Sequence, residues 1–281
     1  HTPGWYRFST GGQTAPVGRT RTTPALGASV DQLKMVFAAH QDYQARYFQP
    51  WSHVAAEQPD VVVFLGDYIF EDGAAVSGGR SHNSPEATSL EDYRKRYGLY
   101  KSDARLQAAH AAAPWIVTWN DREVSALYAG LVPRAAVDLA TFSARRAAAY
   151  QAFWEHQPLR TDPLDGALTM HRSIAWGSLV DFIVLDGRQH RSDQPCGDGG
   201  AMYPDCADRD NPSNTVLGAS QKSWLQAQLE AERGHWSVLA NPVTMTPVPL
   251  YPNSHNMDWW DGYPAERREV LASLSGVRNP V

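Results

Sequence analysis

The stretch Asp60-Val-Val-Val-Phe-Leu-Gly-Asp-Tyr-Ile-Phe-Glu71 decides the fold of this chain. Its five consecutive apolar residues, 61–65, predict a short strand buried on both faces, as in a sheet covered by helices on each side. Gly66 lets the backbone turn sharply, so Asp67 is predicted to lie just past the carboxyl end of the strand. Ligands bind at that edge of an α/β sheet. Asp67 is therefore a candidate ligand for a hard metal ion, with a turn-forming aspartate as the alternative.

Other short apolar runs are also followed by polar residues. These residues are His40 after 35–39, Asn120 and Asp121 after 115–119, and Arg188 after 179–186. Helical segments are predicted between the strands, at 47–57, from 89 onward, and at 103–113, 142–154, 219–233 and 265–274. Strands that alternate with helices in this way indicate the α/β fold class.

Polar residues at the ends of neighbouring strands predict a metal site. His, Asp and Asn side chains that converge on one sheet edge can hold two metal ions about 3.5–4 Å apart for phosphoester chemistry. Asp67 is the natural bridging ligand, with His40, Asn120 and Asp121 around it. Arg188 has the fork geometry that holds a phosphoryl oxygen. Because any α/β enzyme has polar strand ends, this spacing alone does not identify an activity.

The composition excludes several classes of function. The net charge is −5, so there is no excess of basic residues to bind nucleic acid. The longest apolar runs are too short to cross a bilayer, and no signal peptide is apparent at the start of the chain. The small molecules that fit a strand-edge site remain the expected partners, and we expect a monomer.

The two cysteines, Cys196 and Cys206, lie in a loop rich in Gly, Asp and Pro. Two cysteines this close in such a loop predict a disulfide and an oxidising, extracytoplasmic location. The alternative is a pair of free buried thiols. Among the histidines away from the strand ends, His110 is expected to be a packed or capping residue and His82 a solvated loop residue.

The first residues have a different pattern from the rest. Residues 5–8 and 15–22 alternate polar and apolar side chains around Gly11-Gly12, which predicts a β-hairpin. We interpret residues 1–24 as the end of a small all-β domain, followed by a linker from Pro24 to Ala28.

Several longer motifs resemble one known family. They include Gly66-Asp67-Tyr68-Ile69 and Trp260-Asp261-Gly262-Tyr263-Pro264, with further matching stretches at 59–60, 92–94, 100–103, 107–110, 114–119, 145–150, 191–198, 217–219 and 224–225. On these residues, 31–281 resembles the catalytic domain of the PhoD-type alkaline phosphatases, a family that includes phospholipase D-like phosphodiesterases.

The resemblance implies a fold and a chemistry. It implies a four-layer αββα metallophosphoesterase core at 31–281, with residues 1–24 as the end of a preceding β-sandwich domain. The strand of the family that carries Gly-Asp-Val-His would begin just after Val281 and is absent from this sequence. The implied cofactors are divalent or ferric ions, iron and calcium in the family. The implied substrates are small phosphoesters or phospholipids, and the implied location is secreted.

Four segments depart from the family pattern around the expected metal site. His40 replaces an iron-binding Cys, and Phe70 replaces an iron-binding Tyr. The family motif Trp-Asp-Asp-His-Glu reads Trp-Asn-Asp-Arg-Glu at 119–123, and Ser125-Ala126-Leu127 replaces an Asn pair. Arg122 can hold a phosphate but does not release its proton as a general acid would.

Two hypotheses follow. The first is a metal-dependent phosphoric-ester hydrolase in which His40, Asp67, Asn120 and Asp121 hold metal ions, and Arg188 and Arg122 stabilise the transferring charge. The second is a non-hydrolytic or repurposed member of the family, which uses the same pocket for binding or for metal-free chemistry. The altered residues Phe70 and Arg122 and the replacement at 125–127 are the reasons for keeping the second.

Overall fold

The computed structural model describes residues 2–45, 47–75, 79–197, 202–248 and 253–281. Within them the strands are β1 (Pro3–Tyr6), β2 (Ser9–Thr10), β3 (Gln13–Thr14), β4 (Gly18–Arg21), β5 (Met35–Ala38), β6 (Val61–Leu65), β7 (Trp115–Thr118), β8 (Arg172–Trp176), β9 (Val180–Val184), β10 (Met202–Pro204), β11 (Trp236–Ala240) and β12 (Ser254–Asn256). The α-helices are α1 (Pro50–Glu57), α2 (Leu90–Lys101), α3 (Ala104–Ala112), α4 (Leu139–His156), α5 (Gly218–Glu230) and α6 (Pro264–Leu274). The mixture of strands and helices confirms the predicted α/β class.

Two three-stranded sheets carry most of the long-range pairing. In the first, β6 lies between β5 and β7, and both pairings are parallel. In the second, β9 pairs parallel with β11 and antiparallel with β8. The parallel arrangement brings the carboxyl ends of β5, β6 and β7 to one edge of the first sheet.

Side chains of alternate residues in β6 enter different hydrophobic clusters. Val62 and Phe64 pack with residues of α1 to α4, whereas Val61 and Val63 pack with Val180 and other residues of β9. A third cluster joins the second sheet to α5 and α6. The continuous apolar run in the sequence is explained by this burial on both faces.

Short polar segments cap the helices that pack on the first sheet. Ser89 begins α2 with a capping box, because its hydroxyl accepts from the Asp92 N–H and the Asp92 carboxylate accepts from the Ser89 N–H. The Asp103 carboxylate caps α3 and the Asp138 carboxylate caps α4. The predicted helix starts near residues 89 and 103 are confirmed, whereas α4 begins three residues before the predicted 142.

The first residues form two small antiparallel pairs. β1 pairs with β4, and β2 pairs with β3 around Gly11 and Gly12. This is the predicted hairpin. Arg21 forms an ion pair with Asp60 just before β6, which joins the hairpin to the first sheet.

A disulfide and a strand pair order the loops beside the second sheet. Cys196 and Cys206 are bonded, with their Cα atoms 5.8 Å apart, as the sequence predicted. β10 pairs antiparallel with β12, and this pair is followed by Asp258 and Trp259. Across the described ranges, none of the helices combines the length and the apolarity that a membrane crossing requires.

Candidate active site

The predicted site residues lie around one cavity of about 680 Å³ at the carboxyl edge of the first sheet. The cavity lining includes all six residues singled out from the sequence, namely His40, Asp67, Asn120, Asp121, Arg122 and Arg188. These residues therefore lie together, as their positions at the ends of neighbouring strands predicted. What each of them does in a reaction stays a prediction.

His40 and Asp67 form a hydrogen-bonded pair at the ends of β5 and β6. His40 Nδ1 lies 2.8 Å from Asp67 Oδ2, and this hydrogen bond raises the pKa of His40. The His40 side chain is 65% exposed and the Asp67 side chain 7% exposed, so the imidazole reaches from a buried carboxylate toward solvent. Its Nε2 has no hydrogen-bond partner among the residues described, which leaves one nitrogen available to a ligand or a proton.

The backbone at these strand ends is tightly constrained. His40 and Asp67 both have positive φ, 59° and 58°, a conformation that side-chain-bearing residues seldom adopt. Gly66 has φ 95°, and a Cβ there would lie 2.5 Å from the Asn120 backbone nitrogen. Only glycine fits between the two turns, so Gly66 allows β6 and β7 to present their polar residues side by side.

Glu123 connects the two turns. This carboxylate is 1% exposed and accepts from the backbone N–H groups of Asp67 (3.1 Å), Tyr68 (2.6 Å) and Asn120 (2.9 Å). Burial raises the pKa of Glu123 to about 8, and the nearby Asp67 charge acts in the same direction. In the sequence, Glu123 is recognisable only as part of a motif, because its three acceptor contacts depend on tertiary structure.

Asn120 is oriented by two neighbours. Its amide Nδ2 donates to Asp67 Oδ2 at 3.1 Å, and its Oδ1 accepts from Arg188 Nε at 2.8 Å. The Asn120 oxygen, which is the atom a metal would need, is therefore directed at a guanidinium. The amide turns an N–H toward the Asp67 carboxylate instead.

Arg188 lines the cavity, but its guanidinium is held in a buried network of ion pairs. It is 1% exposed and forms a bidentate ion pair with Asp258, with both N–O distances 2.6 Å. Asp121 Oδ1 lies 3.5 Å from Arg188 Nη2. Burial opposes the charged form, but Asp258 and Asp121 raise the pKa of Arg188 above its ordinary value. Burial raises the pKa of Asp121 to about 6, and Arg188 opposes that rise.

Arg122 is likewise paired. Its guanidinium forms an ion pair with Asp72, lies 3.4 Å from Glu71 and sits 4.6 Å from the centre of the Phe70 ring. Burial raises the pKa of Glu71 to about 7 despite the opposing charge of Arg122. Phe70, one of the altered positions, thus forms a face on which Arg122 stacks.

Arg134 is a residue of this site that sequence analysis did not find. It is exposed and lines the cavity, and it has no ion pair or hydrogen bond within the described ranges. Tyr203, Val243 and Trp259 line the same cavity and give it an apolar wall. A single arginine in an irregular loop has no sequence pattern around it, so only the structure could reveal its position.

His82 corrects an expectation. It is 4% exposed, with its ring nitrogens 2.8 Å from the Asp72 carbonyl oxygen and 3.1 Å from the Tyr100 hydroxyl. It is a buried histidine that holds the loop before α2, not a solvated one. His110 is packed as predicted, stacked on Trp115 with ring centres 3.8 Å apart.

The donors around the cavity do not fit a centre of two metal ions. In the described part of the chain, no three His, Cys, Asp or Glu side chains converge on a position that could hold an ion. Asp67 accepts from His40, Asn120 and the Arg122 N–H, and Asp121 accepts from the Leu127 N–H. Of the predicted ligands, His40 and Asn120 each contact Asp67 directly, but Asn120 does so through its amide N–H, which cannot bind a metal ion. The chemical roles proposed for this cavity therefore belong to its side chains.

Comparison with known proteins identifies the family. The family profile described as PhoD-like phosphatase matches residues 35–281.

The chain belongs to the PhoD-like phosphatase family.

Two relatives agree with this assignment. Alkaline phosphatase D of Bacillus subtilis (strain 168) is 43% identical to this chain over an alignment of 281 residues. The alignment covers 95% of this chain and 47% of that protein. The solved structure of PhoD superimposes with a TM-score of 0.93 at 41% identity, covering 99% of this chain and 55% of that one. The chain thus spans about half the length of these relatives. The family resemblance drawn from the motifs is confirmed.

Proposed function

We propose that this chain carries the catalytic site of a phosphoric-ester hydrolase of the phosphatase or phosphodiesterase type. The observation that carries the proposal is the cavity at the ends of β5, β6 and β7, where the His40–Asp67 pair and cationic side chains face one space. Membership of the PhoD-like phosphatase family supports phosphoester chemistry in that cavity. The substrates proposed are small phosphoesters or phospholipid headgroups.

His40 is proposed to move a proton. Asp67 holds its Nδ1, which fixes the tautomer and the ring orientation. The Nε2 atom is then the position at which a proton passes to or from an oxygen of the bound ester. The largely exposed ring lets that nitrogen meet a substrate without a rearrangement of the protein.

The arginines are proposed to have separate tasks. Arg134 and Arg122 line the cavity and provide positive charge for phosphoryl oxygens. Arg122 shares its charge with Asp72 and Glu71, so Arg134 is the more available of the two. Arg188 acts as a positioning residue, because its contacts orient Asn120 and Asp121.

Metal dependence is the property that family membership supports most generally. Iron and calcium, the ions expected from the motifs, stay proposals, since the described donors do not form a centre of three ligands. The assay must therefore vary the metal ion as well as the substrate.

Finer features of the molecule are also proposed. The three hydrophobic clusters on the outer and inner faces of the two sheets support a four-layer αββα core over 31–281. The antiparallel pairs in residues 3–21 support the end of a β-sandwich at 1–24. The disulfide supports an extracytoplasmic location. A monomer is retained as the expected state.

Hydrolysis of p-nitrophenyl phosphate and of bis(p-nitrophenyl) phosphate, with and without added Ca²⁺, Mg²⁺, Mn²⁺ or ferric ion, tests the proposal. Asp67→Asn is expected to lower kcat by about 10²–10⁴-fold, the range for a group that supports proton transfer. Asp162→Asn, an exposed carboxylate away from the cavity, serves as the matched control and should leave kcat unchanged. Absence of turnover with every ion, or equal turnover in Asp67→Asn, would contradict the proposal. Vanadate binding without turnover would favour the non-hydrolytic alternative.

A further inference from the structure

A second cavity of about 650 Å³ lies beside β8, away from the candidate active site. It is bounded by the linker at 23–26, the segment at 158–161 and residues 172–175 of β8. Among the residues described, the two cavities have no lining residue in common. Nothing in the proposed hydrolytic function makes use of it.

Arg172 is the unusual residue of this cavity. Its Nη1 donates to the Met170 carbonyl oxygen and its Nη2 to the Val117 carbonyl oxygen, both at 2.8 Å. It forms no ion pair with any carboxylate in the described ranges, and burial lowers the pKa of Arg172 to about 10 with no charged neighbour contributing. Removing a cation from water without an anion nearby is costly. Arg188, by contrast, is fully buried and has Asp258 as its counter-charge.

The two carbonyl contacts do not use all the N–H donors of the Arg172 guanidinium. A guanidinium has five N–H donors, and the described acceptors of Arg172 are these two oxygens and the Met170 sulfur at 3.3 Å. The contact with Val117 joins β8 to β7, so part of the role of Arg172 is structural. The remaining donors are available to a ligand in the cavity that Arg172 lines.

The rest of the lining is also suited to an anion. Arg160 lines the cavity, is exposed and has no described ion pair. Thr161 and Thr169 add hydroxyl groups, and the lining residues that the structure describes include no Asp or Glu. Two arginines without a carboxylate form a local positive region in a chain of net charge −5. Guanidinium groups and hydroxyls are suitable donors for carboxylate, sulfonate or phosphate oxygens.

Apolar side chains complete the wall. Leu26, Trp115, Leu159 and Ile174 line the same space, which is larger than an inorganic ion requires. We propose that this cavity binds an organic anion, with its oxyanion head on Arg172 and Arg160 and its apolar body against Leu159 and Ile174. Polar groups and apolar side chains contribute about equally to the lining, and a concave site that offers both suits a small molecule with a charged head and an apolar body.

Fluorine NMR titration with two matched probes tests the proposal. 4-(Trifluoromethyl)benzenesulfonate carries the oxyanion, and 4-(trifluoromethyl)benzenesulfonamide is its neutral counterpart. The sulfonate is expected to bind about tenfold more tightly, because charge-assisted hydrogen bonds to arginine are about twice as strong as neutral ones. Arg160→Ala should weaken sulfonate binding about fivefold, the upper range for an exposed charge pair, and leave the sulfonamide unaffected.

The variants locate the binding and separate charge from packing. Arg172→Gln should weaken the sulfonate more than Arg160→Ala does. If that variant does not fold, Arg160→Ala decides. Arg7→Ala removes an exposed arginine outside both cavities and should change nothing. The proposal is overturned if the wild type does not bind the sulfonate or binds both probes with equal affinity, or if Arg160→Ala binds the sulfonate as the wild type does. A loss of sulfonate binding in Arg134→Ala would also overturn it, because that result would assign the probe to the first cavity.

Discussion

At the scale of single residues, the candidate site depends on side chains that bind the protein as well as on those that face the cavity. Glu123 holds three backbone N–H groups at the ends of β6 and β7, and Arg188 holds Asn120 and Asp258. Loss of the Glu123 acceptor or of the Arg188 donors leaves buried partners without their hydrogen bonds. The geometry of Asp67 and Asn120 is therefore determined by buried residues that need not contact a substrate.

Arg134 gives the sharpest prediction at this scale. Arg134→Ala is expected to raise KM for p-nitrophenyl phosphate about tenfold with little change in kcat, because a hydrogen bond to a charged group is worth about 1.5–3 kcal/mol and would act equally in ground and transition states. Steady-state kinetics measure both constants. Arg134→Lys should restore part of the loss, and Arg7→Ala should leave KM unchanged. A fall in kcat at constant KM would instead place Arg134 in the chemical step.

At the scale of elements, the sequence predicted what local patterns specify. The apolar runs of β6 and β7 were recognised because both faces of these strands are buried. β8 was missed because it is an edge strand of intermediate burial with no apolar run, and β10 and β12 have only three residues each. The ion pair of Arg188 with Asp258 joins residues 70 positions apart, a distance at which no local pattern applies.

The packing of α3 on the first sheet leads to a prediction about pH. His110 in α3 stacks on Trp115 and its Nε2 lies 2.7 Å from the Tyr68 hydroxyl. Burial, with a smaller effect from Lys101, lowers the pKa of His110 to about 3. The unfolded chain takes up a proton below about pH 6.5, whereas the folded chain does not. Stability from this residue is therefore complete above pH 6.5 and is lost as the pH falls toward 3.

Urea unfolding at pH 7.5, 6 and 5 checks this prediction. Near pH 5, unfolding of the wild type should take up about one proton more than unfolding of His110→Phe. The free energy of unfolding of the wild type should therefore fall more steeply as the pH is lowered. The Phe variant keeps an aromatic ring against Trp115 but loses the hydrogen bond to Tyr68. Replacement of the exposed His53 by Phe is the control and should retain the wild-type slope. Identical slopes for wild type and His110→Phe would refute the assignment.

At the scale of the whole molecule, two sheets share an interior. Phe182 of β9 is fully buried in the cluster that includes Val61 and Val63 of β6. The first sheet carries the strand-end residues His40, Asp67 and Asn120, and β9 of the second sheet precedes Arg188. The shared interior holds these two sheets against each other. The candidate site therefore depends on the contact between the sheets as well as on each sheet alone.

Phe182→Ala tests that dependence. It is expected to lower the free energy of unfolding by about 3–5 kcal/mol, since a cavity would remain between the sheets. Phe37→Ala on β5 removes the same side chain from a position that is 71% exposed, and it should change stability by no more than about 0.5 kcal/mol. Chemical denaturation, monitored by tryptophan fluorescence, measures the free energy of unfolding of both variants. Equal losses in the two variants would show that the sheets do not share a packed interior.

The closed network around Arg188 has a consequence for inhibitor design. An acidic fragment aimed at this guanidinium would have to compete with Asp258, which already occupies it through two 2.6 Å contacts. Such a fragment would gain little affinity for the charge that it carries. A better starting scaffold would place its acid on Arg134 and an acceptor near the Nε2 of His40, then extend an aromatic group toward Trp259.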